Sequence, residues 1–109
     1  MSKITTHVLD AVLGKPAIGV NLSLEKKSGD AWTAIATSST GADGRCVDLA
    51  PDAEAGTYRL TFQTGAYLAD LGRAGIYPEI SITFTCEGEA HYHLPLLLSD
   101  NGYTTYRGS

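Results

Sequence analysis

The chain has 109 residues and a formal net charge of −4, with 43% hydrophobic and 18% charged residues and a sequence pI near 5.1. This length and composition predict one globular domain, residues 1–109, with an ordinary hydrophobic core. The acidic balance argues against nucleic acid or an anionic membrane as the main partner, because both need a basic surface. A small anionic substrate needs only a local cationic pocket.

Neither a targeting segment nor a membrane helix is visible. The opening MSKITTHVLDAVLGK lacks the continuous apolar stretch of a signal peptide, and no apolar run reaches the length of a membrane span. We therefore expect a cytoplasmic protein. Cys46 and Cys86 lie far apart and match no metal-ligand spacing. We expect them to be reduced and structural, with a disulfide as the alternative.

The first half of the chain reads as short strands. ITTHVLD predicts the first, and IGVNLSLEK predicts a half-buried second strand because its apolar residues alternate with polar ones. The inward positions of that second strand are Ile18, Val20, Leu22 and Leu24. AWTAIATSST predicts a weaker strand, Asp43-Gly44 a turn, CVDL a short strand and APDAEAG a polar loop.

The second half continues the pattern. TYRLTFQT predicts a strand with Tyr58, Leu60 and Phe62 inward, and EISITFTC predicts one with Ile80, Ile82 and Phe84 inward. Between them, TGAYLADLGR predicts one short helix, with Thr64 as the N-cap and Gly72 just past its end. Two more strands surround Asn101-Gly102. About eight short, regularly spaced strands predict an all-β fold, a β-sandwich.

The strand HYHLPLLL has two different faces. Tyr92, Leu94, Leu96 and Leu98 form a core face, whereas His91, His93, Pro95 and Leu97 form a face that is neither polar nor fully apolar. Such a face predicts a subunit interface. Pro95 lacks a ladder donor and is therefore expected at a sheet edge or a bulge.

The hairpin at Asn101-Gly102 determines where the tail returns. An even loop length preserves side-chain parity across the two strands, which places His93 opposite the segment around Tyr106 and Gly108. We therefore expect the chain end, with Ser109 and its terminal carboxylate, to lie close to His93.

Histidine and arginine in this setting suggest hydrolysis. A neutral His can accept a proton from water, and an Arg can bind a planar anion or stabilise developing negative charge. His7, Arg45 and His93 are the candidates. The alternatives are histidines without a function, Arg45 as a solvated turn residue, a zinc site from His7, His91 and His93, and an expression-vector remnant for the final RGS.

The whole chain resembles the 5-hydroxyisourate hydrolase branch of the transthyretin-like family. The matching motifs, in order, are ITTHVLDAVLGKPAIGV, Arg45 in DGR, TFQTGAYLADLGRAGIYPEISITF and HYHLPLLLSDNGYTTYRGS. The resemblance implies a transthyretin-like β-sandwich of two four-stranded sheets with one short helix. It also implies a homotetramer, a dimer of dimers, whose active sites lie in the channel where the dimers meet.

The same resemblance implies hydrolysis of 5-hydroxyisourate in urate degradation, by attack of water on a cyclic amide and without metal or other cofactor. It implies catalytic roles for His7, Arg45, His93 and Ser109. It implies substrate binding by His7, Arg45, Tyr106, Arg107, Gly108 and Ser109; the role of His91 is left open. The competing classes are a carrier that binds an aromatic ligand and a purely structural adaptor.

Overall fold

The computed structural model describes residues 1–109 and places them in two β-sheets with one short helix. The helix, α1, spans Thr64–Asp70. The strands are Ser2–Asp10 (β1), Lys15–Pro16 (β2), Asn21–Ser28 (β3), Ala31–Ser39 (β4), Arg45–Ala53 (β5), Gly56–Phe62 (β6), Ile80–Cys86 (β7), His91–Leu98 (β8) and Tyr103–Thr105 (β9). The predicted β-sandwich is confirmed. No helix has the length and apolar character needed to cross a membrane.

The two sheets differ in their strand arrangement. One has four antiparallel strands in the order β4-β3-β6-β7. In the other, β1 pairs on one side with β2 and β5 and on the other side with β8, which pairs with β9. The fifth strand of this sheet, β2, has only two residues and was not predicted. β1 and β8 run parallel, so segments distant in sequence become neighbours at the centre of the sheet.

The core lies between the sheets and follows the predicted alternation. Leu24, Leu60, Phe62 and Leu96 are fully buried, each from the predicted inward face of its strand. Burial of such side chains contributes about 1.5–3 kcal/mol each. Cys46 and Cys86 are buried as free thiols. Because the inward positions of β1 and β8 belong to this core, their alternate positions face outward and are available for a functional site.

Two sequence predictions are wrong where the backbone leaves regular strand geometry. Ile18 is 58% exposed and not inward, because the strand begins only at Asn21 and Gly19, at a φ of +76°, turns the chain before it. The predicted loop APDAEAG is also largely strand, since β5 continues to Ala53. Its pairing with β1 contains two register shifts. Such bulges break the period of two that identifies a strand.

The helix ends as predicted but begins differently. Gly72 has a φ of +69°, and its N–H donates to the Ala69 carbonyl while the next N–H, of Arg73, donates to Leu68. This is a Schellman termination, which favours glycine. At the other end the N-cap is Gln63, so the prediction of Thr64 as N-cap is wrong.

The helix termination places Arg73 in a largely buried ion-pair network. Its guanidinium donates to the carboxylate of Asp10, at 2.6 Å, and to that of Asp100, at 2.6 Å. The Tyr67 hydroxyl of the helix also donates to Asp10, at 2.8 Å. The network therefore joins the end of β1, the helix and the β8–β9 loop. The hydrogen bonds to Asp10 and Asp100 raise the pKa of Arg73, whose side chain is 15% exposed.

Candidate active site

Three strands of the five-stranded sheet bring His7, Arg45 and His93 to its outer face. In the antiparallel pair of β1 and β5, His7 lies opposite Arg45. In the parallel pair of β1 and β8, Thr5 lies opposite His93, and His7 lies opposite Pro95. Because side chains alternate along a strand and paired residues share a face, all of these side chains leave the sheet on the same side.

The chain returns to this face through the β8–β9 hairpin in the predicted register. The strands are joined by residues 99–102, and Leu98 pairs with Tyr103. In the same register, Gly108 forms an isolated bridge with His93, in which the Gly108 N–H donates to the His93 carbonyl at 2.7 Å. The loop has four residues, an even number, so Gly108 lies on the His93 face. This part of the sequence prediction is confirmed.

Pro95 lies in β8, which is an interior strand and not the predicted sheet edge or bulge, but β9 pairs only with Leu96, Leu97 and Leu98 and ends before it reaches Pro95. The carbonyl groups of His93 and Pro95 both accept hydrogen bonds from the returning segment, the latter from the Thr105 hydroxyl at 2.8 Å. The missing N–H of Pro95 therefore faces the gap between Thr105, where β9 ends, and Gly108. Proline costs no ladder hydrogen bond at this point.

The predicted Asp-Gly turn holds His7 in place. The His7 Nε2 lies 2.9 Å from the carbonyl oxygen of Asp43. Because a carbonyl only accepts, the Nε2 carries the hydrogen, and the neutral ring has its lone pair on Nδ1. Gly44 makes this turn at a φ of +78°, where an added Cβ would collide with the carbonyl oxygen of Val8. The turn thus selects the tautomer of His7.

Arg45 projects from the end of the same turn. Its backbone N–H donates to the Asp43 carboxylate at 3.0 Å, but its guanidinium Nε lies 3.9 Å from that carboxylate. The Arg45 side chain is 50% exposed. An exposed ion pair of this length contributes little, so the guanidinium is free to bind a planar, oxygen-rich anion.

The surroundings of His93 favour a neutral ring. Its partial burial disfavours the imidazolium, and the positive charges of Arg45, His91 and His7 disfavour it further, so the pKa of His93 lies below its ordinary value. At neutral pH the ring is therefore uncharged, and one of its two nitrogens carries a lone pair. A neutral imidazole on the same sheet face as a guanidinium can accept a proton from water while the guanidinium stabilises the negative charge that forms.

Gly108→Ala should displace the His93 ring. A Cβ at this position would lie 2.7 Å from His93 Cδ2 and 3.3 Å from Pro95 Cγ. Because the backbone bridge fixes both residues, the ring must move. A displacement of about 1 Å at a reacting group lowers turnover about 10²-fold. Steady-state kinetics should show this loss. Gly102→Ala is the matched control: its Cβ meets only the Ser99 hydroxyl, at 3.4 Å. Equal turnover by Gly108→Ala and Gly102→Ala would contradict the need for glycine at position 108.

The Arg107 side chain does not reach the His93 face. Its guanidinium lies 4.4 Å from the ring centre of Tyr92 and 3.3 Å from the Glu89 carboxylate, and it donates to the His91 carbonyl. Position 107 has the opposite parity from position 108, which accounts for this placement. The contacts fix the tail to the sheet, and a substrate-binding role for Arg107 stays a prediction.

The other tail residues lie nearer the candidate site. Tyr106 is 54% exposed and shares the parity of Gly108. Ser109 is exposed and follows Gly108 directly. Their predicted contributions to substrate binding, and that of Ser109 to catalysis, stay predictions.

Sequence reasoning missed Thr5. Its hydroxyl lies 2.7 Å from His91 Nε2 and 2.7 Å from His93 Nδ1, and the residue is only 3% exposed. Thr5 is two residues before His7, and His91 is two residues before His93. Strand alternation therefore places Thr5 on the face of His7 and His91 on the face of His93. The parallel register that makes them neighbours has no local sequence signal.

The structure contains no group of side chains suited to the alternative of a zinc site. No set of three or more His, Cys, Asp or Glu side chains has an arrangement that could hold a metal ion. One nitrogen of each of His91 and His93 already faces Thr5. A metal bound between the two rings would have to replace that hydroxyl.

The histidine face is open in a single protomer. Two clefts, of about 400 and 430 Å³, lie elsewhere. The first is beside Leu49, Pro51 and Tyr58, and the second is beside Ser23 and Thr37. Neither contains His7, Arg45 or His93. The candidate site is therefore assigned by the chemistry of its side chains and not by cleft size.

Comparison with known proteins relates the chain to one family. The model of the HIUase/transthyretin family matches residues 4–108. The chain is 44% identical over 109 residues to the 5-hydroxyisourate hydrolase of Salmonella dublin, covering 97% of this chain and 80% of that protein.

Solved structures give the same relationship. The 5-hydroxyisourate hydrolase of Klebsiella pneumoniae superimposes with a TM-score of 0.91 at 40% identity, with both chains fully covered. Sea bream transthyretin in complex with thyroxine superimposes with a TM-score of 0.93 at 37% identity, covering 97% of this chain and 94% of that one. The fold is therefore common to an enzyme and to a thyroxine-binding protein, and the side chains of the candidate site must distinguish them.

Proposed function

The chain belongs to the HIUase/transthyretin family, and on that premise we propose that it is a 5-hydroxyisourate hydrolase in urate degradation. Its product is 2-oxo-4-hydroxy-4-carboxy-5-ureidoimidazoline. The observation that carries this proposal is the convergence of His7, Arg45 and His93 on one sheet face. These residue types supply a base and an anion site, which ring opening by water requires.

The proposed reaction uses one water molecule, and His93 first accepts a proton and later returns it. Neutral His93 takes a proton from the water as its oxygen bonds to the ring carbonyl carbon. Arg45 stabilises the resulting oxyanion. The carbon–nitrogen bond then breaks and the His93 imidazolium returns its proton to the leaving nitrogen. The single ring-opened product carries a ureido group and a carboxylic acid, which releases its remaining proton to solvent and becomes a carboxylate. His7, held by Asp43, presents its Nδ1 acceptor to orient the substrate.

We assign the general base to His93 and not to His7 for a physical reason. His93 has a lowered pKa, caused by burial and by nearby positive charge, so its ring stays neutral to a lower pH than an ordinary histidine does. His7 already uses its Nε2 in the hydrogen bond to Asp43. Both histidines, with Arg45, remain within the proposed site.

We also propose a homotetramer, a dimer of dimers, in which another subunit covers the histidine face. Support comes from the open site and from Pro95 and half-buried Leu97 on the same face as His93. Strands β7 and β9 lie at sheet edges and can pair with another copy. Size-exclusion chromatography with light scattering should give the mass of four chains; a fully active monomer would overturn this. The cytoplasmic location stays a prediction.

A carrier is the second candidate because sea bream transthyretin bound to thyroxine has the same fold. A carrier needs no base. It should therefore tolerate replacement of His93, and it should bind an aromatic ligand without consuming 5-hydroxyisourate. The outward His7–Arg45–His93 set favours the enzyme, since a channel for an apolar aromatic ligand gains nothing from three cationic or titratable groups.

Ultraviolet absorbance tests the hydrolase directly. Urate and urate oxidase generate 5-hydroxyisourate, whose absorbance decays slowly without a catalyst. The protein should accelerate this decay in proportion to its concentration. An unchanged decay rate with folded, tetrameric protein would overturn the proposal, and calorimetric titration with thyroxine would then test the carrier.

A further inference from the structure

One buried hydroxyl joins two histidine rings. Thr5 Oγ1 lies 2.7 Å from Nε2 of His91 and 2.7 Å from Nδ1 of His93, and the ring centres are 6.0 Å apart. Thr5 is 3% exposed, whereas His91 is exposed to solvent. Both rings therefore meet a single group that is shielded from water.

Thr5, His91 and His93 form a triad in which the single hydroxyl proton links the protonation of the two rings. A hydroxyl has one proton to donate and lone pairs to accept with. When both rings are neutral, Thr5 donates to one ring and accepts from the other. If His93 donates from Nδ1, its Nε2 has the lone pair, and Thr5 donates to His91. If Thr5 donates to His93, then His93 carries its proton on Nε2, and His91 donates from its own Nε2.

We propose that Thr5 and His91 are positioning residues that control the proton state of His93, so that the two rings share protons across the Thr5 hydroxyl. The inference rests on the proposed hydrolase function for its consequence in turnover. It assigns a role to His91, the exposed histidine that takes no part in the steps described above.

The proton movement is balanced. His93 Nε2 takes a proton from water and becomes an imidazolium. Its Nδ1 proton passes to the Thr5 oxygen while the Thr5 proton passes to His91 Nε2. The charge then lies on exposed His91, and neutral His93 holds the new proton on Nε2. Donation of that proton to the leaving nitrogen runs the same shift backwards, and the triad returns to its first state.

Other charges face this triad and set its balance. They are His7 and Lys3 of β1, with Lys3 opposite His91, and Arg45 of β5. The returning tail contributes the backbone of Gly108 and the Arg107 guanidinium, which donates to the His91 carbonyl and pairs with the Glu89 carboxylate. A positive charge near His93 favours movement of the proton outward to His91.

The test uses Thr5→Val, which keeps the shape and removes the hydroxyl, and Thr5→Ser, which restores it. Thr61→Val is the matched control, because Thr61 is a buried strand threonine of the other sheet bonded to Ser81. Nitrogen-15 NMR of the histidine rings, without substrate, follows their tautomers against pH. In the native protein and in Thr5→Ser, the ring nitrogens of His91 and His93 should change together; in Thr5→Val they should titrate separately.

Turnover supplies the second measurement. Thr5→Val and His91→Gln should each lose on the order of 10²-fold in turnover, the loss that misplacement of a reacting group can cause. Thr5→Ser and Thr61→Val should stay close to native activity. Unchanged ring titrations in Thr5→Val, or failure of serine to restore them, would overturn the proposal. If the titrations are coupled but the native protein does not consume 5-hydroxyisourate, the proposed function fails and the coupling stands.

Discussion

His93→Gln lowers the turnover of 5-hydroxyisourate about 10²–10⁴-fold, the range that a positioned general base supplies, and leaves the sandwich folded. Glutamine keeps much of the volume of the ring but cannot accept a proton at neutral pH. The Gly108 bridge uses the backbone of His93, so the tail should stay in place. The measurement is the catalysed absorbance decay after subtraction of the spontaneous rate.

Lys27→Gln is the control, because Lys27 is exposed on β3 of the other sheet. It should retain activity within about twofold, as expected for a distant surface change. Circular dichroism and light scattering confirm fold and assembly for both variants. Near-native turnover in folded His93→Gln would remove His93 from the mechanism.

The pH profile gives an independent check on His93. Only the neutral ring acts as a base, so kcat/KM falls as pH falls through the pKa of His93. Because burial and the charges of Arg45, His91 and His7 lower that pKa, the acid limb should lie below the ordinary histidine value of about 6.5. Arg45→Gln removes one of those charges and should move the limb to higher pH, whatever its effect on the maximal rate.

Asp10→Ala destabilises the fold by about 3–5 kcal/mol, the cost of breaking a buried ion pair by removal of one partner. The buried Asp10 carboxylate accepts from the backbone N–H groups of Val12 and Leu13, the Tyr67 hydroxyl and the Arg73 guanidinium. Alanine leaves the hydroxyl and the guanidinium without this partner. Urea denaturation should show the loss as a lower midpoint at constant slope, at one protein concentration because assembly contributes to stability.

Asp30→Ala is the control, since Asp30 lies exposed in the turn between β3 and β4 and should change stability by less than about 0.5 kcal/mol. Equal midpoints for the two variants would contradict a structural role for the Asp10–Arg73 network.

The contribution of Asp10 to the free energy of unfolding should decrease as the pH is lowered. Burial alone raises the pKa of Asp10, but hydrogen bonds from Arg73, Leu13 and Tyr67 outweigh it and lower the pKa from 3.8 to about 2. This difference is equivalent to about 2 kcal/mol of stability. The stabilisation is complete above pH 4 and is lost as pH falls towards 2. The stability gap between native protein and Asp10→Asn, which cannot titrate, should therefore narrow over that range.

Strand parity predicted the most important part of the site. Alternation in HYHLPLLL and an even hairpin loop were sufficient to place Gly108 opposite His93. The Asp-Gly turn was also predictable, because the positive φ that the turn requires at Gly44 favours glycine. Both features depend on local rules, which a single sequence contains. The same parity rule puts Arg107 on the opposite face, although its family motif alone suggested a place beside its neighbours.

Features that depend on distant pairing were not predictable. Nothing in the sequence gives the register of β1 on β8, so the contact of Thr5 with both His91 and His93 emerged only from the structure. The continuation of β5 to Ala53 was missed because its register shifts disturb alternation. The failed prediction of Thr64 as N-cap has a different cause: Thr64 is buried, and tertiary packing determined where the helix begins.

The parallel pairing of β1 with β8 also determines when activity can arise during folding. Thr5 and His93 are 88 positions apart, so the site closes one of the longest loops in the chain. Closing such a loop costs chain entropy before the contacts that it permits are formed. A chain that has folded only its four-stranded sheet has no catalytic face. Recovery of hydrolase activity after dilution from denaturant should therefore follow, and never precede, the formation of the central pair of strands.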